Sequence, residues 1–147
     1  MATLSSSTSA RDSVSFGSVV RASLIGAVIA IVVNLILWTL ARVLNIPLTV
    51  VVGPLGSGAV AQALPIPPIL VFSIIPAIIG GLLYFVLTKM TARGATIFTV
   101  IAVIVAVLSL LPLPGQPMSV AGMIVLALMH LFTASIITGS LTTRAKA

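Results

Sequence analysis

The stretch ASLIGAVIAIVVNLILWTLARVL, residues 22–44, decides the fold class of this protein. Its apolar core is about twenty residues long, which at ~1.5 Å per residue of α-helix spans the ~30 Å hydrocarbon layer of a membrane. The apolar core of a secretory signal peptide is shorter, at ~7–15 residues, and ends at a small-residue cleavage site. We therefore expect residues 22–44 to form a retained membrane-spanning helix.

The composition of the whole chain agrees with a membrane location. Of the 147 residues, 60% are hydrophobic and 5% are charged, and the mean hydropathy is +1.38. A soluble domain carries about 25% charged residues, so this chain lacks the polar surface that water requires. The seven Lys and Arg residues stand singly near the ends of apolar runs and form no basic stripe, so we expect no nucleic-acid partner.

Three further apolar runs complete the predicted fold class, which is all-α: a four-helix transmembrane bundle with up-down-up-down topology and both termini on the same side. The predicted helices span residues 22–44, 68–88, 95–111 and 119–141. The Ser- and Thr-rich segment 1–20 is predicted to be a disordered cytoplasmic tail. The remaining residues, 21–147, form the predicted membrane domain.

The basic residues predict the orientation of the bundle. Six of the seven fall in the three segments that an even number of spans places on one side, namely Arg11, Arg21, Lys89, Arg93, Arg144 and Lys146. Segments that face the cytoplasm are enriched in Lys and Arg. Both termini are therefore predicted to be cytoplasmic.

Arg42 departs from this pattern because it lies at the outer end of the first helix, with Trp38 one turn deeper. A terminal arginine extends its side chain to the headgroups, and tryptophan favours the membrane interface. The functional alternative is a fixed cationic contact with a lipid phosphate or an anionic partner. Trp38 and Arg42 are therefore a candidate lipid-headgroup contact.

The loop at 45–67, between the first two helices, is long and carries no charge. It either lies in the membrane interface or re-enters the membrane packed against protein. Its GPLGSG segment lacks the Lys-Ser/Thr and the preceding strand of a phosphate-binding loop. We interpret that segment as a flexible connection.

Two polar side chains lie near the middle of the membrane. Counting from the helix ends at ~1.5 Å per residue places Asn34 and His130 about 15–18 Å from either surface. Neither reaches the headgroups, so both should face the bundle interior. They form a candidate polar midplane pair, hydrogen-bonded directly or through water, worth about 0.6–2 kcal/mol. The alternative is a ligand, quinone or proton-handling site around His130, with Ser73 and Pro76 of the second helix nearby.

Catalysis and metal binding lack the necessary residues. The single acid, Asp12, lies in the N-terminal tail, which excludes paired carboxylates and an acid-oriented Ser–His pair. There is no cysteine, and one histidine without carboxylates does not make a zinc site. A bis-histidine haem would need two chains. The sequence therefore predicts no enzyme, no catalytic residue, no cofactor and no metal site.

Two stretches, VNLILWTLARVLNIPLTV and LALMHLFTASIITGSL, together with the Lys/Arg break after the second helix, resemble a known family. The matching positions are Asn34, Trp38, Arg42, Met129 and His130. The family consists of small bacterial four-span membrane proteins grouped as a domain of unknown function, and the resemblance covers most of residues 21–143. It implies the four-helix topology and a bacterial cytoplasmic (inner) membrane, and it supplies no activity.

The function that these features favour is a structural or accessory membrane component without catalysis. Such a protein would have the lipid bilayer as its surroundings and a membrane protein, or a second copy of the chain, as its partner. The basis is that His130 is the only ionisable group deep within the predicted spans, whose helices are apolar on every face. The alternative is a small transporter or lipid/quinone-binding protein that uses the Asn34–His130 site.

Overall fold

The computed structural model describes residues 14–52 and 60–145. The elements are α1 (Phe16–Val43), β1 (Thr49–Val52), β2 (Val60–Ala63), α2 (Ile66–Met90), α3 (Gly94–Leu110), a 3₁₀ turn (Leu113–Gly115) and α4 (Val120–Arg144). Four helical segments are long and apolar enough to cross a membrane, the third including the 3₁₀ turn. The predicted all-α, four-span fold class is confirmed. Arg11, Asp12 and Lys146 lie outside the described residues.

Helix α1 begins at Phe16, inside the segment 1–20 that was predicted to be a disordered tail. The reason is a capping box. The Ser18 N–H donates to Oγ of Ser15 at 3.0 Å, and the Ser15 N–H donates to Oγ of Ser18 at 3.2 Å. The predicted tail up to residue 13 lies outside the described residues. The other three helices begin and end within three residues of their predicted bounds.

Helix α1 ends in a Schellman motif, which turns the chain out of the bundle. The Ile46 N–H donates to the Ala41 carbonyl at 2.8 Å, and the Asn45 N–H donates to the Arg42 carbonyl at 3.1 Å. Asn45 has φ 54°, the left-handed conformation that the motif requires at this position. Asparagine tolerates this conformation better than other residues with a side chain.

The loop at 45–67 contains an antiparallel hairpin, which the sequence prediction missed. Strands β1 and β2 pair with Val51 opposite Ala61. The Val51 N–H also donates to Oε1 of Gln116 at 3.0 Å, which ties the hairpin to the connection between α3 and α4. The β-branched run TVVV followed by Gly-Pro is the signal that could have predicted a strand here. The GPLGSG segment falls within residues 53–59, outside the described part of the chain.

Helices α1, α2 and α4 form the core, each through one buried stripe with a spacing of three or four residues. The stripes are Val19, Ala22, Gly26, Ala27, Ala30, Asn34 and Ala41 in α1; Ile69, Ser73, Ala77, Gly81 and Tyr84 in α2; and Gly122, Leu126, Met129, Thr133, Ile137, Ser140 and Leu141 in α4. Of the 17 described residues of α3, only Gly94 and Phe98 are buried. Helix α3 therefore lies at the edge of a three-helix core and is anchored near its start.

Small residues allow α1 to approach both of its neighbours closely. A Cβ added to Gly81 of α2 would collide with Oγ of Ser23 on α1. A Cβ added to Gly26 of α1 would lie 3.2 Å from Cβ of Ser140 on α4. The close contacts of α1 with α2 and α4 thus depend on glycines that face serines.

The start of α1 lies beside the end of α4. Oγ of Ser18 donates to the Ala145 carbonyl at 2.7 Å. At the same end, the rings of Phe16 and Phe85 meet edge to face with centroids 5.4 Å apart. The hairpin and the α3–α4 connection meet at the opposite end, through Gln116. The side of the membrane that each end faces stays a prediction.

Candidate functional site

Asn34, in the middle of α1, joins three helices through its side-chain amide. Its Nδ2 donates to Oγ of Ser73 on α2 at 3.0 Å and to Oγ1 of Thr133 on α4 at 2.8 Å, and all three residues are buried. Oγ of Ser73 in turn donates to the Ile69 carbonyl at 2.8 Å. We call Asn34, Ser73 and Thr133 the polar brace, because these hydrogen bonds connect α1 with α2 and α4 in otherwise apolar surroundings.

His130 lies one turn of α4 before Thr133 and is not part of the polar brace. Its Nδ1 is 2.8 Å from the Leu126 carbonyl, within the same helix. A carbonyl only accepts, so we assign the ring proton to Nδ1, which leaves Nε2 as an acceptor in the neutral imidazole. The direct hydrogen bond suggested between Asn34 and His130 is not formed in the described structure. The reason is that the amide hydrogens of Asn34 donate to Ser73 and Thr133, and the ring hydrogen of His130 is directed to the Leu126 carbonyl. Neither side chain has a hydrogen left for the other.

The carbonyl oxygen of Asn34 has no hydrogen-bond partner among the described residues. Oδ1 is buried, and Asn34 as a whole is 5% exposed. A buried polar group without a partner destabilises a folded protein by about 1–3 kcal/mol. Such groups are rare in folded proteins and call for a specific explanation. Oδ1 is therefore the atom of the polar brace whose hydrogen bonding is incomplete.

Asn34 and His130 both line an apolar cleft of about 500 Å³ between α2, α3 and α4. This volume lies within the range of about 300–1,000 Å³ that is typical of small-molecule sites. Phe72 and Ile79 on its wall are 70% and 61% exposed, so the cleft opens to the face of the bundle that meets lipid. The cleft exists because α3 is buried only near its start, and its second half does not close against α2 and α4.

The polar groups of the cleft do not suit a metal ion. Among residues 14–52 and 60–145, no three His, Cys, Asp or Glu side chains lie close enough to hold one. His130 offers a single ring nitrogen to the cleft, and the other residues that line the cleft include no Asp or Glu. What the cleft presents is an apolar wall with a few hydrogen-bonding groups near its middle.

Trp38 and Arg42 form a second site, at the hairpin end of the bundle. The Arg42 guanidinium carbon lies 4.8 Å from the centroid of the Trp38 ring, a cation–π contact. Trp38 Nε1 donates to the Leu64 carbonyl at 3.0 Å, which holds the indole ring in place. A pocket of about 350 Å³ lies beside this pair and includes Asn45. No described carboxylate pairs with Arg42, since the single acid of the chain is Asp12.

The chain matches the profile of a family described as "Family of unknown function (DUF6069)" over residues 14–147. The protein belongs to this family. The match confirms the predicted membership in a family of unknown function and includes all four helices of the DUF6069 fold. Comparisons with curated proteins and with solved structures found no match. The description of DUF6069 names no activity, so the function has to be argued from the geometry.

One residue of the polar brace was not predicted from the sequence. Thr133 lies three residues after His130 and so shares its face of α4. Threonines inside helices usually bond to the carbonyl four residues before them, as Thr99 and Thr142 do here. The residue type alone therefore does not single out Thr133. Its depth, equal to that of Asn34 on the neighbouring helix, was the signal that could have identified it.

Proposed function

We propose that the protein is a non-catalytic, multi-pass membrane protein that binds an apolar, lipid-like molecule in the cleft between α2, α3 and α4. The observation that carries this proposal is the apolar cleft of about 500 Å³, whose wall includes the half-buried ring of His130. A bound molecule with a matching polar group would hydrogen-bond to Nε2 of His130, the ring nitrogen that is not bonded within α4. The surrounding bilayer supplies molecules with apolar chains that fit such a wall.

The chemistry of the cleft favours binding over catalysis. His130 is the only titratable side chain that lines it, and no acidic residue is present to orient the imidazole or to exchange protons with it. The bond from Nδ1 to the Leu126 carbonyl holds the ring in one orientation. These features suit a fixed hydrogen-bonding group better than a general acid or base that transfers protons in a catalytic cycle.

Two observations support the proposed location, a bacterial cytoplasmic membrane with both termini in the cytoplasm. The contact between Ser18 and Ala145 brings the start of α1 and the end of α4 together at one end of the bundle. Lys89 lies at that same end, one turn after Phe85, whose ring contacts Phe16 of α1. At the hairpin end, the one described basic residue is Arg42. An excess of Lys and Arg is typical of the cytoplasmic side.

The binding proposal is tested by filling the cleft. A photoactivatable lipid probe with a diazirine in its chain is added to the purified full-length protein in phospholipid nanodiscs, and the labelled residues are mapped by mass spectrometry. Ala106, which lines the cleft, is replaced by Trp, and Val103→Trp on the exposed side of α3 is the matched control. We expect labelling of cleft residues in the wild type and in V103W, and its loss in A106W.

The result that would refute this proposal is also defined. If the wild type and A106W were labelled equally, with labels spread evenly around the bundle, the cleft would be an ordinary part of the lipid-facing surface. Binding in the cleft would then have no support.

A second candidate function, a structural or accessory component, rests on the exposed surface of α3. This helix buries Gly94 and Phe98 and leaves large apolar side chains such as Val103 open. The partner would be a larger membrane complex or a second copy of the chain. Because the chain has no cysteine, Val103→Cys is a unique crosslinking site, and Leu24→Cys on α1 is its control. A crosslinked product in native membranes from V103C alone would support this function, and a monomer from both variants would contradict it.

A further inference from the structure

We propose that the molecule held in the cleft carries a hydroxyl group, which donates its hydrogen to Nε2 of His130 near the middle of the membrane. This inference rests on the proposed binding function and adds to it the chemical class of the ligand. The class is a neutral amphiphile with one hydroxyl end, such as a long-chain alcohol or an isoprenoid alcohol.

The first step is the hydrogen-bonding inventory of the cleft at the polar brace. Oδ1 of Asn34 is a buried acceptor without a partner among the described residues. Nε2 of His130 is an acceptor as well, because Nδ1 carries the ring proton toward the Leu126 carbonyl. Oγ1 of Thr133 accepts from Asn34 and retains its own hydrogen as a donor. Since Oδ1 of Asn34 is buried, the site offers a ligand one acceptor, Nε2 of His130, and one donor, the Thr133 hydroxyl, about one turn apart along α4.

The second step is to ask which polar groups match this inventory. A hydroxyl has one hydrogen to donate and two lone pairs to accept with, so it satisfies an acceptor and the Thr133 donor together. A ketone, ester or quinone has acceptors only and would leave Nε2 of His130 unpaired. A carboxylate or an ammonium would be buried without a counter-charge, because no Lys, Arg, Asp or Glu lines the cleft. The hydroxyl is the neutral group that fits best.

The third step is depth. Asn34 lies near the centre of its membrane-spanning helix, so the polar end of the ligand sits far from both headgroup layers. A phospholipid headgroup at that depth would lose its hydration without gaining counter-charges. A molecule with one small polar group reaches it at lower cost. The apolar chain then lies along Phe72 and Ile79, on the wall where the cleft opens to lipid.

The test compares two probes that differ only in whether the terminal oxygen carries a hydrogen or a methyl group. The full-length protein in phosphatidylcholine nanodiscs is photolabelled with a long-chain primary alcohol bearing a chain diazirine, and with the methyl ether of the same molecule. The ether keeps the oxygen and loses the donor. We expect the alcohol to label cleft residues at about three- to twentyfold lower concentration than the ether, the range that one hydrogen bond in a membrane protein provides. A parallel pair with an isoprenoid chain shows which tail the cleft prefers.

Variants separate the site from simple partitioning of the probes. His130→Leu should bring the alcohol and ether curves closer together and should fold, because the bond of His130 lies within α4. Thr142→Val is the matched control: Thr142 bonds within α4 in the same way and does not line the cleft. A preference for the alcohol that persisted unchanged in H130L would count against the site.

The two proposals fail in distinguishable ways. Equal labelling of the cleft by alcohol and ether in the wild type would overturn the hydroxyl inference and leave binding in the cleft intact. If neither probe labelled the cleft above the lipid-facing surface, both proposals would be overturned. Preferential labelling by the alcohol that depends on His130 would support both.

Discussion

Replacing Thr133 by valine tests whether the polar brace holds three helices together. Valine has nearly the shape of threonine and removes the hydroxyl that accepts from Nδ2 of Asn34 at 2.8 Å. The variant loses one interhelical hydrogen bond, worth about 0.6–1.7 kcal/mol in membrane proteins. It also leaves one hydrogen of the buried amide unpaired, which adds a penalty of about 1 kcal/mol or more. We expect T133V to lower the free energy of unfolding by about 1–3 kcal/mol.

The assay is reversible unfolding in mixed micelles, followed by circular dichroism as the fraction of denaturing detergent rises. Thr142→Val is the matched control, because its hydroxyl bonds within α4 and joins no second helix. A double-mutant cycle with Asn34→Leu isolates the pair. Once Asn34 is leucine no amide hydrogen is left unpaired, so T133V should then cost much less than in the wild type.

The reasoning would be refuted if T133V and T142V were equally stable, or if the cycle gave additive effects. Either result would mean that the contact between Asn34 and Thr133 contributes nothing beyond side-chain packing. The stripe of small apolar residues would then account for the association of α1 with α4.

Three further expectations concern packing, the outer pocket and orientation. Gly81→Leu should lower the free energy of unfolding by about 1–3 kcal/mol through overpacking against α1. Gly139→Leu should not lower it, because a Cβ added there meets nothing within 4 Å. The unfolding assay described above measures both variants. Arg42→Gln should weaken the retention of an anionic phospholipid, since stacking on Trp38 presents the guanidinium to a phosphate. Retention is measured by native mass spectrometry, and an unchanged value would exclude this contact. In intact cells, a membrane-impermeant maleimide should label Gln62→Cys in the hairpin and spare Thr143→Cys near the end of α4, and the reverse pattern would contradict the proposed orientation.

The lipid-like ligand and the polar brace rest on different side chains. Nδ2 of Asn34 is occupied by structural hydrogen bonds, and its Oδ1 is buried. A leucine at position 34 would therefore affect stability. His130→Leu should affect binding alone, which makes it the cleaner probe of function.

The sequence predicts the depth of the polar residues but not their contacts. Asn34 and His130 could be placed at the same depth because the rise of an α-helix is constant. Depth alone does not determine how each helix is rotated about its axis. The structure turns Asn34 toward Ser73 and Thr133 and turns His130 toward the cleft and its own helix. The hairpin was not predicted because hydropathy alone does not distinguish the short β-branched run of Thr49–Val52 from an apolar loop.

By itself the sequence determined that this is a membrane protein with four spans, because long uncharged apolar runs have no other stable environment. It also determined the approximate helix bounds, the absence of acid–base partners within the spans and the depth of each polar residue. Only the tertiary structure decided which faces of the helices meet and that α3 stands apart to leave a cleft. The physical reason is that lipid and protein interior are equally apolar, so hydropathy does not distinguish a helix face that packs against a neighbour from one that faces the bilayer. That distinction is made by small residues and a few hydrogen bonds, whose partners are set by folding.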